Sequence, residues 1–490
     1  MNRLKPILLF LGALTFFVLT APENHSEAED TYYYSRMVEQ GEWSEMFHQH
    51  HLLYLPLARG VYRVAQVGGV AERALPVLIT LSMVAAAGVI SLFAAMLRRN
   101  GRSPLWVLPL LFSYGFWRYA CAAEIYLPAL LAVCGAWVFA SRPKGLVGAI
   151  ACSAMALLLH LVCLPAVFAI GLLFAVRKEW KALTLYFVSV GGIVAAVYGV
   201  AHATIGTVVF QDASVLGNSI FVASTWLKGV FAFGQNLLSG NFLFSIPAIA
   251  DRLVALFPSQ MLQEELFMGQ QAGGLWHAGA CITFLSALPL LGVAAIGLVL
   301  SRSAWRSPMT VWFAGNIAMA LLFEPANPEM WIFTILPFWF LVSNAWKQSS
   351  KHWKFLLPSL VVIMLLHNAI GGMAFVQKEE GDYCRQKAEW ILNHAVEGDV
   401  IVSADSHSFL TYMQYWSPAH VLDAKFQALE KTRNGRVFIF DDVLNPLPAV
   451  QHRSAESVAR LQNASEQLRP YLKLVYDHDG WAVHERLRLD

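Results

Sequence analysis

Apolar runs recur along most of this chain, and short turns carrying Lys or Arg separate many of them. Such runs predict helices that cross ~30 Å of hydrocarbon. They lie near 5–21, 74–97, 104–120, 125–140, 146–160, 162–176, 182–204, 278–300, 308–323, 330–346 and 354–376, so about eleven membrane helices are expected. The 146–176 stretch reads either as two half-length segments or as one long tilted helix. A closed β-barrel would need shorter, alternating segments, which the chain lacks, and no internal repeat is evident.

Two regions break this rhythm. Residues 205–277 are long, aromatic and moderately apolar; "STWLKGVFAFGQNLL" and "IPAIADRLVALF" suit amphipathic helices lying in the membrane interface, or a loop packed on the bundle. From Gln377 onward, "GDVIVSA", "HVLDA", "GRVFIFDD" and "LKLVYDHDGWAVHERL" read as strands. "YCRQKAEWILNHA" and "SAESVARLQNASEQLRPYL" read as amphipathic helices. The expected organisation is a membrane domain over 1–376, with a first outer loop at 22–73 and a long outer loop at 205–277, followed by a small α/β domain over 377–490. Gly-rich phosphate loops are absent from that domain.

Composition supports the same class. Of 490 residues, 57% are hydrophobic and 14% charged, and the mean hydropathy is +0.50, as expected of an α-helical polytopic membrane protein. The net charge is +2 and no long basic arm is present, so nucleic acid is not an expected partner. Five of the six cysteines lie in or beside apolar runs and none forms a CxxC, so they read as buried small hydrophobes. The first segment has a basic start and an apolar core; an uncleaved signal-anchor is expected, because the charge topology needs it. "RRNGR", "SRPKG", "RKEWK", "SRSAWRS" and "KQSSKHWK" all fall on one side together with "MNRLK", and the positive-inside rule makes that side cytoplasmic. The opposite side receives 22–73, "RYACAAE", the surroundings of His160, 205–277, "FEPANPE" and the C-terminal domain.

The ionisable residues concentrate on that opposite side. Residues 25–57, "HSEAEDTYYYSRMVEQGEWSEMFHQHHLLYLPL", hold six carboxylates and four histidines. Glu29 and Asp30 form a pair that can supply a general base, since a neighbouring negative charge raises a carboxyl pKa toward a useful value; the plain alternative is a solvated acidic turn capping a helix. That helix is expected over "TYYYSRMVEQG", with Tyr33 and Met37 on one packed face. His48, His50 and His51 form HxHH, a weak metal signature without a Cys partner or HExxH. On a helix His48 and His51 would share a face and His50 would not. Arg118 and Glu124 flank a short outer turn, where charges at membrane helix ends are costly unless paired or functional. His160 is a polar group in "ALLLHLVCLP", and Glu324, Asn327 and Glu329 lie in "FEPANPEMW". Few ionisable residues fall at helix centres, where a transporter would be expected to place them.

The order of these features is informative: one helix, an outer loop with a carboxylate pair and aromatics, "HHLLYLPL" with Tyr54, then "W-x6-E-I-Y" ending in Glu124 and Tyr126, many further helices and an outer α/β domain. It resembles the GT-C superfamily of integral membrane glycosyltransferases, in its protein-mannosyltransferase-like and aminoarabinose-transferase-like branches. The architecture is similar throughout; the motifs cover 24–60 and 112–128, and more loosely 155–166 and 322–338. The resemblance implies an inverting transfer of sugar from a polyprenyl-phosphate donor to an acceptor hydroxyl of a glycan, lipid or protein, beside membrane lipid. A bacterial inner membrane is the expected location. By position the base would be Asp30 or Glu29, although the order here is Glu-Asp where many relatives have Asp-Glu. "HHLLYLPL" lacks the proline pair of the relatives' HPPLY-like stretch. His50, His51, Tyr54, Glu124, Tyr126, His160, Glu324, Asn327 and Glu329 are the expected substrate contacts. Arg118 is assigned to the donor phosphate on charge and place. Some members of the superfamily use a divalent metal and others none. A transporter or flippase for lipid-linked sugars, or a non-catalytic component of envelope polysaccharide assembly, remain the alternatives.

Overall fold

The computed structural model describes residues 4–25, 28, 30–206, 222–256, 275–346, 353–377, 382–396, 398–403, 408–416, 421–422, 436–444, 463, 466–467, 469–478 and 481–487. Contacts divide the chain into two units, one of Met1–Pro22, Met37–Gly240 and Gly274–Ala374, the other of Glu23–Arg36, Asn241–Gly273 and Phe375–Asp490.

The first unit is an α-helical membrane bundle. Four helices, Ala74–Arg99, Trp180–Ile205, His277–Leu300 and Lys354–Val376, are long and apolar enough to cross a bilayer, and shorter apolar helices accompany them. Ala74–Arg99 packs against Leu4–Leu19 and Tyr126–Ala140, and the last of these packs against Leu146–Leu159. Small residues make the close approach feasible: Ala85, Ala86, Ala87 and Ala94 are all buried on Ala74–Arg99.

One of the expected helices is interrupted, and the open reading of 146–176 is decided. The 104–120 stretch, expected as one span, is three pieces, Pro104–Trp106, Val107–Leu111 and Tyr114–Ala120. Pro104 and Pro109 cannot donate to a helical ladder, and the chain turns at Phe112–Ser113. The backbone carbonyl freed there is met by a side chain, Asn368 Nδ2 donating to Phe112 O (2.6 Å), and the Ser113 hydroxyl accepts from Trp339 Nε1 (2.9 Å). The 146–176 stretch proves to be two segments, Leu146–Leu159 and Leu164–Val176, because His160 adopts an extended conformation (φ −163°, ψ 127°) between them. The last span runs as Trp353–Asn368 and then a π-helical turn, Ala369–Met373. Gly372 sits where a Cβ would lie 2.6 Å from Tyr114 and 2.7 Å from Ser239, so only glycine fits that contact without displacement. "STWLKGVFAFGQNLL" forms the helix Ala223–Leu237. Its Thr225, Gly229, Ala232 and Asn236 face inward, and Trp226, Leu227 and Val230 are exposed.

The second unit contains a five-stranded sheet: β1 (Val400–Val402), β2 (Val421–Leu422), β3 (Val437–Phe440), β4 (Leu472–His478) and β5 (Trp481–Arg486), in the order β2-β1-β3-β5-β4. β1 pairs parallel with β2 and β3, while β5 runs antiparallel to β3 and to β4. Every residue of β1 and β3 is buried, the mark of central strands covered on both faces. Val400, Val402, Val437, Ile439, Val443 and Leu444 form its core. The expected helix at 383–395 is present as Tyr383–His394, capped by Asp382, whose Oδ1 accepts from Arg385 N (3.0 Å). The helix expected in "SAESVARLQNASEQLRPYL" lies largely outside the described residues. In the same unit, Tyr32 packs edge-on against Tyr412, with ring centroids 4.7 Å apart.

Asp399 ties the start of β1 to β3. It accepts from Val396 N (2.9 Å) and from Arg436 N (3.0 Å), Nε (3.1 Å) and Nη2 (2.8 Å). Burial pushes its carboxyl up, and these bonds outweigh burial to hold it below the usual carboxylate value. A depressed carboxylate adds stability above its ordinary pKa of ~4, and that stability is lost as pH falls through the lower folded value. Asp399→Asn is therefore expected to cost about 1–3 kcal/mol at neutral pH. Thermal melts of the full chain should show the gap from wild type closing as the pH is taken below ~4.

Candidate functional site

Within the membrane bundle, the interruptions place polar side chains at the ends of apolar helices. The short helix Tyr114–Ala120 carries Arg118, 1% exposed, and Glu124 follows before Tyr126–Ala140 at 0% exposure. Glu124 is anchored through its backbone: its N–H donates to Ser82 Oγ (3.4 Å), and the Ser82 hydroxyl donates to Glu124 O (3.1 Å). Arg118 and Glu124 are thus fully enclosed groups, which are costly in an apolar surround unless paired and hydrogen-bonded.

A second acidic segment meets the first. Pro325 and Pro328 punctuate the turn after Met309–Phe323, and Asn327 organises it: its Nδ2 donates to Glu324 Oε2 (2.8 Å) and its Oδ1 accepts from Glu329 N (2.9 Å). This turns buried Glu329 toward Tyr126, whose hydroxyl donates to Glu329 Oε2 at 2.9 Å. One carboxylate oxygen of Glu124 and one of Glu329 lie within 4.8 Å of each other. Oxygen ligands so spaced can share one hard divalent cation at ~2.4 Å from each, or organise the hydroxyls of a bound sugar.

Aromatic rings extend the cluster. Tyr126 stacks on His160 (5.4 Å, 30°), His160 approaches His51 (6.2 Å), and His51 stacks nearly parallel on His48 (4.3 Å, 13°). Phe333 lies against both Tyr126 and His160. The extended His160 bends so that its Nδ1 accepts from Val162 N (3.0 Å); a neutral ring then carries its proton on Nε2. The histidine segment is a turn, so the conditional helical face does not arise: His48 and His51 form an isolated bridge, and the His50 ring lies 5.3 Å from that of His48. Backbone bonds fasten the turn, from Leu161 N to His50 O (2.9 Å) and from Leu53 N to Leu158 O (2.9 Å), and Tyr198 donates to Gln49 O (2.7 Å). Buried Tyr54 begins the helix Tyr54–Val67 directly after it. The rings of HxHH pack chiefly by stacking of His48 on His51.

In the second unit, Asp30 is the first residue of the helix Asp30–Gln40 and its Oδ2 accepts from the Tyr34 hydroxyl at 2.7 Å, one turn on. Tyr32, Tyr34 and Met37 are buried and Tyr33 is only half-buried, so the packed face differs from the expected Tyr33–Met37 stripe. Glu29 lies outside the described residues.

The structure therefore unites Glu124, Tyr126, Glu329, His160 and His51, with Glu324 and Asn327 in the supporting turn. Sequence reading missed Ser82 and Asn236, and gave His48 no substrate role. Asn236 had a signal: with Gly229 and Ala232 it makes an i, i+3, i+7 inward stripe in which an amide replaces an apolar residue.

No family model matches the chain, and no curated protein matches it. Among solved structures, the chain is similar to the crystal structure of ArnT from Cupriavidus metallidurans bound to undecaprenyl phosphate. The identity is 13% and the TM-score 0.46, over 99% of this chain and 98% of that one.

Two outcomes follow. Tyr126→Phe keeps the stack on His160 and removes the donor to a buried carboxylate. It should lower unfolding stability by about 1.5–3 kcal/mol in denaturant titrations of the purified protein. His51 is pushed well below the ordinary imidazole value by burial first, then by His48, His160 and His50. A lowered folded pKa means that stability is present above ~6.5 and lost as pH falls from there toward the folded value. Hydrogen exchange of amides 48–53, corrected for intrinsic rates, should accelerate below pH ~6.5; in His51→Phe, which keeps a ring but cannot protonate, that pH dependence should disappear.

Proposed function

We propose that this chain is an inverting glycosyltransferase of the GT-C type, moving a sugar from a polyprenyl-phosphate donor to an acceptor hydroxyl on the extracytoplasmic face. The observation that carries this reading is the convergence of four separate stretches in one cluster, buried except at half-buried His48: His48 and His51, Glu124 and Tyr126, His160, and Glu329 with Phe333. These are the stretches whose motifs resemble the superfamily. They sit at helix ends of a membrane bundle, where a lipid-linked donor presents its head group.

The chemistry needs three things. The acceptor hydroxyl oxygen forms a bond to the anomeric carbon, the bond from that carbon to the phosphate oxygen breaks with its electron pair going to the phosphate, and the hydroxyl proton passes to a base. Attack opposite the leaving group inverts the anomeric centre. In this reading Asp30 takes the proton, oriented by the Tyr34 hydroxyl. Arg118 offsets the charge growing on the phosphate, and Glu124, Glu329 and His160 hold sugar hydroxyls. A divalent cation, if employed, would lie between Glu124 and Glu329 and add positive charge near the leaving phosphate. The orientation follows the positive-inside rule, with the N-terminus in the cytoplasm and residues 377–490 outside.

The test is mass spectrometry of envelope glycans and lipids from cells with the protein, without it, and with Asp30→Asn. A glycosylated product that requires the protein is expected. In Asp30→Asn the product should fall by about 100-fold or more while binding of a polyprenyl phosphate persists. Product formation surviving both Asp30→Asn and Glu29→Gln would remove the first-loop carboxylates as base. Gradient-driven movement of a lipid-linked sugar in proteoliposomes, with no glycosidic product, would replace the transferase reading by transport.

A further inference from the structure

Two asparagines outside the cluster bind backbone atoms of the segments that carry it. Asn236, in the last turn of Ala223–Leu237, is fully buried. One hydrogen of its amide goes to Ala232 O (2.9 Å) and the other to Pro328 O (2.8 Å), the carbonyl directly before Glu329. Its Oδ1 faces Gly115, three residues before Arg118. A Cβ at position 115 would lie 1.8 Å from that oxygen; glycine puts a hydrogen there, and the approach becomes a Cα–H···O contact.

Asn368 completes the arrangement. Its Nδ2 donates to Phe112 O (2.6 Å), at the break before the Arg118 helix, and to Leu237 O (2.9 Å). Its Oδ1 accepts from Ser239 N (2.9 Å), and His367 Nε2 contacts Ser239 O (2.9 Å). The helix Ala223–Leu237 is seated on the acidic turn a second time through Gly229, where a Cβ would lie 2.7 Å from the Trp331 indole. Residues 112–115, 236–239 and 328 are thus locked to one another through amide side chains.

We infer that Asn236 and Asn368 form a clamp that sets the position of the Arg118 helix relative to the Glu329 turn, making both of them positioning residues for the cluster. They supply hydrogen bonds to carbonyls that the broken helices leave open, groups that are expensive to bury unpaired in an apolar bundle. Misplacement of about 1 Å at Glu329 is enough to cost transfer heavily when catalysis depends on orientation. The catalytic consequence rests on the transferase reading; the clamp itself does not.

The experiment compares wild type, Asn236→Leu and Gly115→Ala, each as the full chain in lipid nanodiscs. Leu fills the amide's space without its donors, and Ala pushes Oδ1 off position 115. Both variants should raise hydrogen exchange in 324–331 about tenfold while exchange in 126–140 stays at the wild-type rate. With a synthetic polyprenyl-phosphate donor bearing the sugar found by the envelope comparison, kcat should fall about tenfold and the donor KM stay within about twofold. If Asn236→Leu does not fold, Asn236→Ala, which loses both donors and adds neither bulk nor charge, takes its place with the same readouts. Unchanged exchange in 324–331 overturns the clamp, and raised exchange with unchanged kcat overturns its positioning role. Wild type that transfers no sugar overturns the transferase reading instead, and the exchange result alone then decides the clamp.

Discussion

Everything in the bundle depends on one constraint: a backbone polar group that leaves its helix inside an apolar surround must be met by another partner, a side chain or the backbone of a different segment. Each interruption obeys it. The carbonyl of Phe112 is taken by Asn368, that of Val162 by Asn316 (2.9 Å), and that of Pro328 by Asn236. The N–H of Val162 is taken by the His160 ring itself. The breaks are also where Arg118, His160 and Glu329 reside, so the price of bending the chain and the placing of reactive groups are settled by the same bonds.

The positions of the membrane helices were largely legible because hydrophobic runs report burial in lipid directly, and the observed helices begin and end within a few residues of the expected ones. The interruption at 112–113 was not. Pro109 announces a weakened ladder, but whether the helix kinks or stops depends on Asn368, more than two hundred residues away in sequence. The same limit explains the histidines. Spacing in HxHH said only what a helix would do with it, whereas backbone bonds from Leu161 and Leu53 hold the segment as a turn; local periodicity cannot anticipate partners supplied by another element. In the α/β unit, "VIV" and "VFIF" were legible as strands, and their parallel pairing needed the structure.

The cluster itself was legible as a list and not as a geometry. Glu124, Tyr126, His160 and Glu329 stand out because each is polar where the chain is otherwise apolar. That Tyr126 donates to Glu329, and that His160 is sandwiched between Tyr126 and the His51–His48 stack, follows from the packing of three different helix ends. The His48 and His51 rings stack nearly parallel, 4.3 Å apart. An aromatic wall beside two carboxylates gives the cluster a ring-lined side and an acidic side, a surface that in the proposed transferase would face the two sides of a sugar ring.

The choice of asparagine at the breaks has a further consequence. An Asn amide offers two donors and carries no charge, so burying it costs far less than burying Lys or Arg in the same role. The scaffold bonds to Phe112, Val162 and Pro328 therefore do not change with pH, nor with a charge appearing nearby. In the proposed transferase, Arg118, Glu124 and Glu329 would be the groups whose surroundings change when an anionic phosphate enters or leaves. Because the backbone beneath them is held by neutral amides, that change of field would act on the side chains and leave the helix ends in place. Preorganisation of this kind, fixed dipoles under a variable charge, is what lets an enclosed site meet a developing negative charge without first rearranging.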